Sequence, residues 1–241
     1  MTHSTIPTVV LVHGAFADAA AWSGVITELQ QQGIPVLAPP NPLRGLAADA
    51  AYIASVTSQI DGPVILAGHS YGGAVITVAG AAPNVVGLVY VAAYVPDQGE
   101  SLADLQGRFP EPALASNLRQ SAYPGEDGSG AAEFTIAREA FPQVFAADLP
   151  EETTRVLAVA QRPLAAAAFT EPASTAAWRT KPAWAVIADA DQAINPDVQR
   201  FGAARAGAGG VEVAGASHAV AVSRPKEVAD VLGEAFRAVT A

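Results

Sequence analysis

A serine hydroxyl is a weak nucleophile at neutral pH and becomes effective only with an imidazole base in reach and an acid to orient that base. The segment Gly68-His69-Ser70-Tyr71-Gly72-Gly73 offers such a serine, directly after the apolar run 64–67 (VILA) and directly before the apolar, helix-forming stretch 74–82. A serine on a sharp turn from strand to helix sits in a strained backbone conformation, and the residues two before and two after it must be small. Gly68 and Gly72 meet that demand, and His69 and Gly73 complete the turn. The letters G-x-S-x-G are weak evidence in a chain with 21 glycines, so the placement between strand and helix carries the assignment. A phosphate-binding βα turn is the competing structural reading. It would put G-x-G-x-x-G near the first strand with an acidic residue after the second, which is not the pattern here.

Four histidines could serve as the base. His3 lies in the terminal tail, and His13 and His69 belong to turns at the first and third strands. His218, in Gly215-Ala216-Ser217-His218-Ala219 between the last strand and the closing helix, is left by elimination. Asp189 and Asp191 both follow the late apolar run 183–188 (AWAVIA) and are the first candidates for the acid. Acyl transfer also needs backbone N–H groups aimed at the developing oxyanion. Tyr71 N–H is expected to be one; Ala15 N–H, or alternatively Phe16 N–H, from the loop His13-Gly14-Ala15-Phe16 is expected to be the other. The Phe16 ring suits either the floor of an apolar pocket or a plain core position.

The elements that must position these residues follow a strand, turn, helix rhythm. The runs 8–13, 34–38, 64–67 and 85–92 are rich in Val, Leu and Ile without alternation, as expected of parallel strands covered on both faces. Residues 22–32 read as a helix stopped by Gly33, and 46–60 as a helix ending at Asp61-Gly62-Pro63. Further strand signals occur at 183–188 and 210–213, and 225–239 reads as the closing helix. The fold class is therefore α/β, a mostly parallel central sheet flanked by helices. From 97 to 180 the rhythm breaks: prolines accumulate, 125–130 is Gly/Ser-rich, and a helix is expected from Pro150-Glu151-Glu152 to about Gln161. This predicts a core of 1–96 and 181–241 with an inserted helical cap, or lid, over 97–180.

Composition narrows the function further. With 241 residues, 51% of them hydrophobic, the chain suits one large core. The absence of cysteine removes thiolate nucleophiles, thiolate metal sites and disulfides. A formal net charge of -10 with no basic cluster disfavours nucleic acid and anionic membranes as partners. No apolar run approaches a bilayer span, and the first five residues lack the features of a signal peptide, so the expected location is cytoplasmic.

The chain resembles the α/β hydrolases related to plant methylesterases and hydroxynitrile lyases, with their bacterial homologues. The resemblance rests on Leu11-Val12-His13-Gly14-Ala15 with Trp22 downstream, on residues 68–73, on Val89-Tyr90-Val91-Ala92-Ala93 followed by Pro96-Asp97, and on the segments around Asp191 and His218. It implies a helical lid over an apolar pocket, no cofactor, no metal, and an ester of a small hydrophobic acid as substrate. It also implies that the acid is Asp191, a few residues after its strand and before an apolar-then-proline turn; Asp189 is then a loop-structuring carboxylate, and Asp97, after the earlier strand, ranks below. The lyases carry a threonine at the position of Gly14 and a lysine just after the histidine, where this chain has Ala219, so hydrolysis is favoured over cyanohydrin cleavage. An aspartate nucleophile, as in haloalkane dehalogenases and epoxide hydrolases, is replaced here by Ser70. The expected activity is serine-dependent carboxylic ester hydrolysis of small, largely apolar esters. The alternatives are a small-molecule receptor with a slow or vestigial triad, or lactonase, amidase, carbon–carbon hydrolase or perhydrolase chemistry on the same residues. Sequence leaves open whether the chain forms a homodimer.

Overall fold

A computed structural model of the protein describes residues 5–125 and 128–240. The start read at Met1–Ser4, with His3, lies outside the described residues, as do two positions of the Gly/Ser-rich piece at 125–130. In chain order the first half runs β1 (Thr8–Val12), a short 3-10 turn (Ala19–Trp22), α1 (Ser23–Gln31), β2 (Val36–Leu37), α2 (Leu46–Ser58), β3 (Val64–His69), α3 (Tyr71–Ala79) and β4 (Val85–Val91). The segment that follows holds α4 (Leu102–Gln106), α5 (Ala113–Ser116), β5 (Leu118–Pro124), β6 (Gly130–Ile136), α6 (Phe141–Phe145), α7 (Glu151–Val159), β7 (Leu164–Ala165) and α8 (Ala167–Thr170). The core then resumes with β8 (Ala183–Ala188), α9 (Pro196–Arg205), β9 (Gly209–Val213), α10 (Val220–Ser223) and α11 (Pro225–Thr240).

Six strands form one parallel sheet in the order β2-β1-β3-β4-β8-β9. The non-alternating strands lie between two apolar layers. Val9, Leu11, Ile65, Val89 and Val91 face Trp22, Val25 and Leu29 near α1 and Val228 and Leu232 of α11, whereas Val10, Val12, Leu66 and Leu88 face α2, α3 and the inserted segment. All six residues of β3 are buried. Burying side chains of this size contributes about 1.5–3 kcal/mol each, so the strand that ends at Ser70 is also among the most firmly held. Among the described residues no helix is long and apolar enough to cross a membrane.

The inserted segment corrects one expectation. Residues 97–180 are not purely helical: β5, β6 and β7 make a three-stranded antiparallel sheet, with Leu118 opposite Ile136 and Phe134 opposite Leu164. The hairpin escapes a periodicity reading because β5 (LRQSAYP) is exposed along most of its length and has no apolar face to register. Leu164 and Ala165, in an Ala-rich stretch of helical character, are pulled into strand pairing by β6. The helix expected near Pro150 is present as α7, with Pro150 as its N-cap and Glu151 and Glu152 in its first turn.

Candidate active site

Ser70 stands at the carboxyl end of β3 with φ 57° and ψ −123°, a region that costs a non-glycine residue of order 1–3 kcal/mol. The turn is held from three sides: Ser70 N–H donates to Val91 O at 3.1 Å, and Ser70 O accepts from Gly73 N at 3.0 Å and Tyr94 N at 3.3 Å. The glycines are sterically required. A Cβ on Gly68 would fall on the Gly72 carbonyl, one on Gly72 on the Val12 carbonyl, and one on Gly73 on the Tyr94 carbonyl. Gly14 is under the same constraint, since its Cβ would come within 2.6 Å of Ser70 Cβ.

His218 and Asp191 come together from separate loops. His218 Nδ1 lies 2.6 Å from Asp191 Oδ2, and both side chains are almost fully buried. With the carboxylate as acceptor Nδ1 carries a proton, so the neutral ring has its lone pair on Nε2. Asp191 is itself fixed: Oδ1 accepts from Ala193 N at 2.7 Å and Ile194 N at 2.9 Å, and Oδ2 also accepts from Gln199 Nε2 at 2.7 Å. The imidazole of His218 packs between His69 and Phe145, at centroid distances of 4.7 and 4.8 Å. Ser70 and His218 line the same cavity, about 20 Å³ in volume, together with Ala15, Phe16, Tyr71 and Ile194. Among the described residues no hydrogen bond engages Ser70 Oγ, which leaves the hydroxyl uncommitted.

The other aspartates have different partners. Asp189 Oδ1 accepts from Gly215 N at 2.6 Å and so shapes the loop that delivers His218. Asp97 forms a two-point pair with Arg179, at 2.9 and 2.6 Å, where the chain leaves the core and re-enters it. That guanidinium holds the Asp97 carboxyl below the usual carboxylate range. Asp97 therefore does not orient His218.

His13 and His69 are held by hydrogen bonds to neighbouring backbone. His13 Nε2 accepts from Asn41 N at 2.9 Å, which puts the ring proton on Nδ1, 2.9 Å from Gly14 O. Burial lowers its pKa. His69 Nε2 donates to His218 O at 2.8 Å; burial first, and then the nearby His218, push its pKa down to about 3. His69 therefore stays neutral near neutral pH. Among the described residues His218 is the histidine that lines the cavity with Ser70.

The candidate oxyanion donors differ in their partners. Phe16 N–H donates to the Arg162 carbonyl at 3.1 Å and is already committed, with Phe16 itself at φ 61°. Among the described residues Ala15 N–H and Tyr71 N–H donate to no acceptor, and both residues border the cavity beside Ser70. Phe16 borders that cavity and also belongs to the buried apolar cluster.

Two groups lay beyond the sequence reading. Gln199 on α9 is buried, bonding Asp191 through its amide nitrogen and accepting from Ala188 N at 3.0 Å. Asp49, fully buried in the first turn of α2, accepts from the Tyr71 hydroxyl at 2.7 Å and from Arg44 N at 3.1 Å. Burial raises the Asp49 pKa, opposed by these hydrogen bonds. A lone Gln or Asp on an amphipathic helix normally faces water, so no local pattern marks either residue.

A larger hollow of about 760 Å³, lined by Gln59, Pro63 and Asn84, sits at the amino ends of β3 and β4. It is at the wrong edge of the sheet, because open α/β sheets place their chemistry at the carboxyl ends of the strands.

These features agree with comparisons to known proteins. The model of the alpha/beta hydrolase family matches residues 9–231. A carbendazim hydrolyzing esterase from Nocardioides sp. (strain SG-4G) is 34% identical over 123 residues, 45% of this chain and 51% of that protein, so the match spans about half the relative's length. A probable hydrolase, R7, from Phoma sp. (strain ATCC 20986 / MF5453) is 28% identical over 95% of this chain and 98% of its own. The crystal structure of polyneuridine aldehyde esterase superposes with a TM-score of 0.81 at 20% identity, covering 95% of this chain and 99% of that one. With the parallel sheet, the turn at Ser70 and a family match across nearly its whole length, this chain belongs to the alpha/beta hydrolase family.

Proposed function

We propose that the protein is a serine-dependent carboxylic ester hydrolase for small, largely apolar esters, with Ser70 as nucleophile, His218 as general base and Asp191 as the group that orients it. The observation that carries this reading is the 2.6 Å bond from His218 Nδ1 to Asp191 Oδ2, with the same imidazole lining the cavity of Ser70. Ser70 Oγ attacks the acyl carbon while His218 Nε2 takes the hydroxyl proton. The carbonyl oxygen becomes an oxyanion held by Ala15 and Tyr71 N–H. Collapse breaks the bond to the alkoxy oxygen, which leaves with the proton from His218. Water then adds to the acyl-enzyme with His218 again as base, and the acid departs as Ser70 recovers its proton.

The alcohol-release step is tested with p-nitrophenyl butyrate. The wild type is expected to release nitrophenol with turnover and to be labelled at Ser70 by a fluorophosphonate; Ser70→Ala is expected to lose both. Full activity in Ser70→Ala refutes the mechanism.

A further inference from the structure

The cavity at Ser70, about 20 Å³, has room for roughly one water molecule and for no ester beyond the reacting carbonyl. Beside it lies a second, outer chamber of about 440 Å³. Five side chains, Tyr94, Leu102, Leu114, Phe169 and Ala193, line both spaces and so form the partition between them. The outer chamber falls within the roughly 300–1,000 Å³ of pockets that hold drug-sized ligands. Phe109, Pro112 and Leu118 give it further apolar walls, Gln106, Glu111 and the Tyr94 hydroxyl are its polar groups, and among the described residues no basic side chain lines it.

The partition is built on short supports. Leu114 is carried by α5 and Phe169 by α8, each a helix of four residues, too short to be stable by its own hydrogen bonds. Leu114 N–H donates to Gln192 O at 3.1 Å, which ties this wall to the loop of Asp191. Phe169 is only half-buried and Leu114 is the least enclosed of the other four, so these two are the partition side chains whose displacement would join the two spaces.

We propose that this outer chamber is the substrate-selectivity pocket, holding a neutral, apolar group of the ester, of two-ring aromatic size, while the carbonyl reaches Ser70 past the Leu114 and Phe169 side chains. The inference rests on the reading of Ser70 as nucleophile. Neutrality follows from Glu111 and the missing cation, which disfavour an anionic group; aromatic character follows from Phe109 and Phe169, whose rings offer edge and face contacts.

The test uses the full chain and two variants that narrow the chamber from different walls, Ala103→Trp and Ala115→Trp, each checked for native circular dichroism so that one folded variant suffices. Binding is read by fluorescence of N-phenyl-1-naphthylamine, a neutral two-ring probe. Saturable enhancement is expected in the wild type, with affinity weakened at least fivefold in the variants. In hydrolysis followed by acid release, the ratio of kcat/KM for methyl 2-naphthoate and 2-naphthyl acetate to that for ethyl acetate is expected to fall at least tenfold. A wild type that does not bind the probe, or folded variants with unchanged affinity or an unchanged ratio, would overturn the proposal. Failure of the nucleophile reading is separable: it shows as hydrolysis surviving in Ser70→Ala and leaves the probe measurement unaffected.

Discussion

Asp191 can orient an imidazole only if its own carboxylate cannot turn, and Gln199 supplies the last of the bonds that prevent this. Replacing Gln199 by Leu keeps much of the side-chain volume and removes the donor to Oδ2, leaving the two backbone donors to Oδ1. We expect kcat to fall about 10–100-fold with KM nearly unchanged, the scale seen when the orienting hydrogen bond of a functional ligand is lost. A steady-state measurement in which KM rises and kcat holds would assign Gln199 to substrate binding instead. The two acids flagged at the start of the inserted segment and after β8 separate more sharply. Asp191→Asn presents His218 with the wrong tautomer and should lower kcat roughly 10³–10⁴-fold. Asp97→Asn only weakens the pair with Arg179 and should leave kcat within about twofold. Equal losses in the two variants would show that the orienting acid is misassigned.

At the scale of elements, the turn from β3 to α3 tolerates no added carbon. Gly68→Ala places a methyl on the Gly72 carbonyl, a backbone neighbour that cannot rotate away, so the elbow itself must shift. We expect about 1–3 kcal/mol of lost stability in urea unfolding and a loss of fluorophosphonate labelling at Ser70 even where the variant remains folded. Retained labelling at the wild-type rate would mean that the strained serine does not depend on Gly68. This element was legible in the sequence because its demands are local: a buried strand, small residues at fixed offsets and a helix former all lie within some twenty positions. The same holds for β1, β4, β8 and α11, whose apolar runs or stripes match their burial. The hairpin β5–β6 was not legible, since β5 is exposed and gains its strand conformation from β6 and not from any apolar periodicity of its own. The long-range bonds to Asp191 and Tyr71 were hidden for a related reason. Gln199 is eight residues from its partner but across a helix start, and Asp49 reaches Tyr71 from the preceding helix, so only the packed sheet brings them together.

For the molecule as a whole, the neutral histidines tie folding to pH. His69 titrates near 6.5 in an unfolded chain but is pushed down to about 3 when folded, chiefly by burial. Below about pH 6.5 the unfolded state binds a proton that the folded state refuses, so stability is lost as pH falls, by at most about 1.4 kcal/mol per pH unit from this one group, until the folded value near 3 is reached. Above pH 6.5 both states are neutral at this site and the contribution is flat. His13 acts in the same sense, and Asp49, whose pKa burial raises, acts in the opposite sense at pH values above its ordinary carboxylate value. Both are removed by taking a difference between two proteins that share them. His69→Gln keeps an amide N–H able to reach the His218 carbonyl but has no titrating group. Urea unfolding at several pH values between 4 and 7 should therefore show a gentler acid loss in the variant, by about 1.4 kcal/mol per pH unit below pH 6. Parallel curves would mean that His69 is protonated as readily in the folded protein as in the unfolded chain. Burial of this ring would then not be a source of acid sensitivity, and the acid loss would have to be traced to His13 and the paired carboxylates.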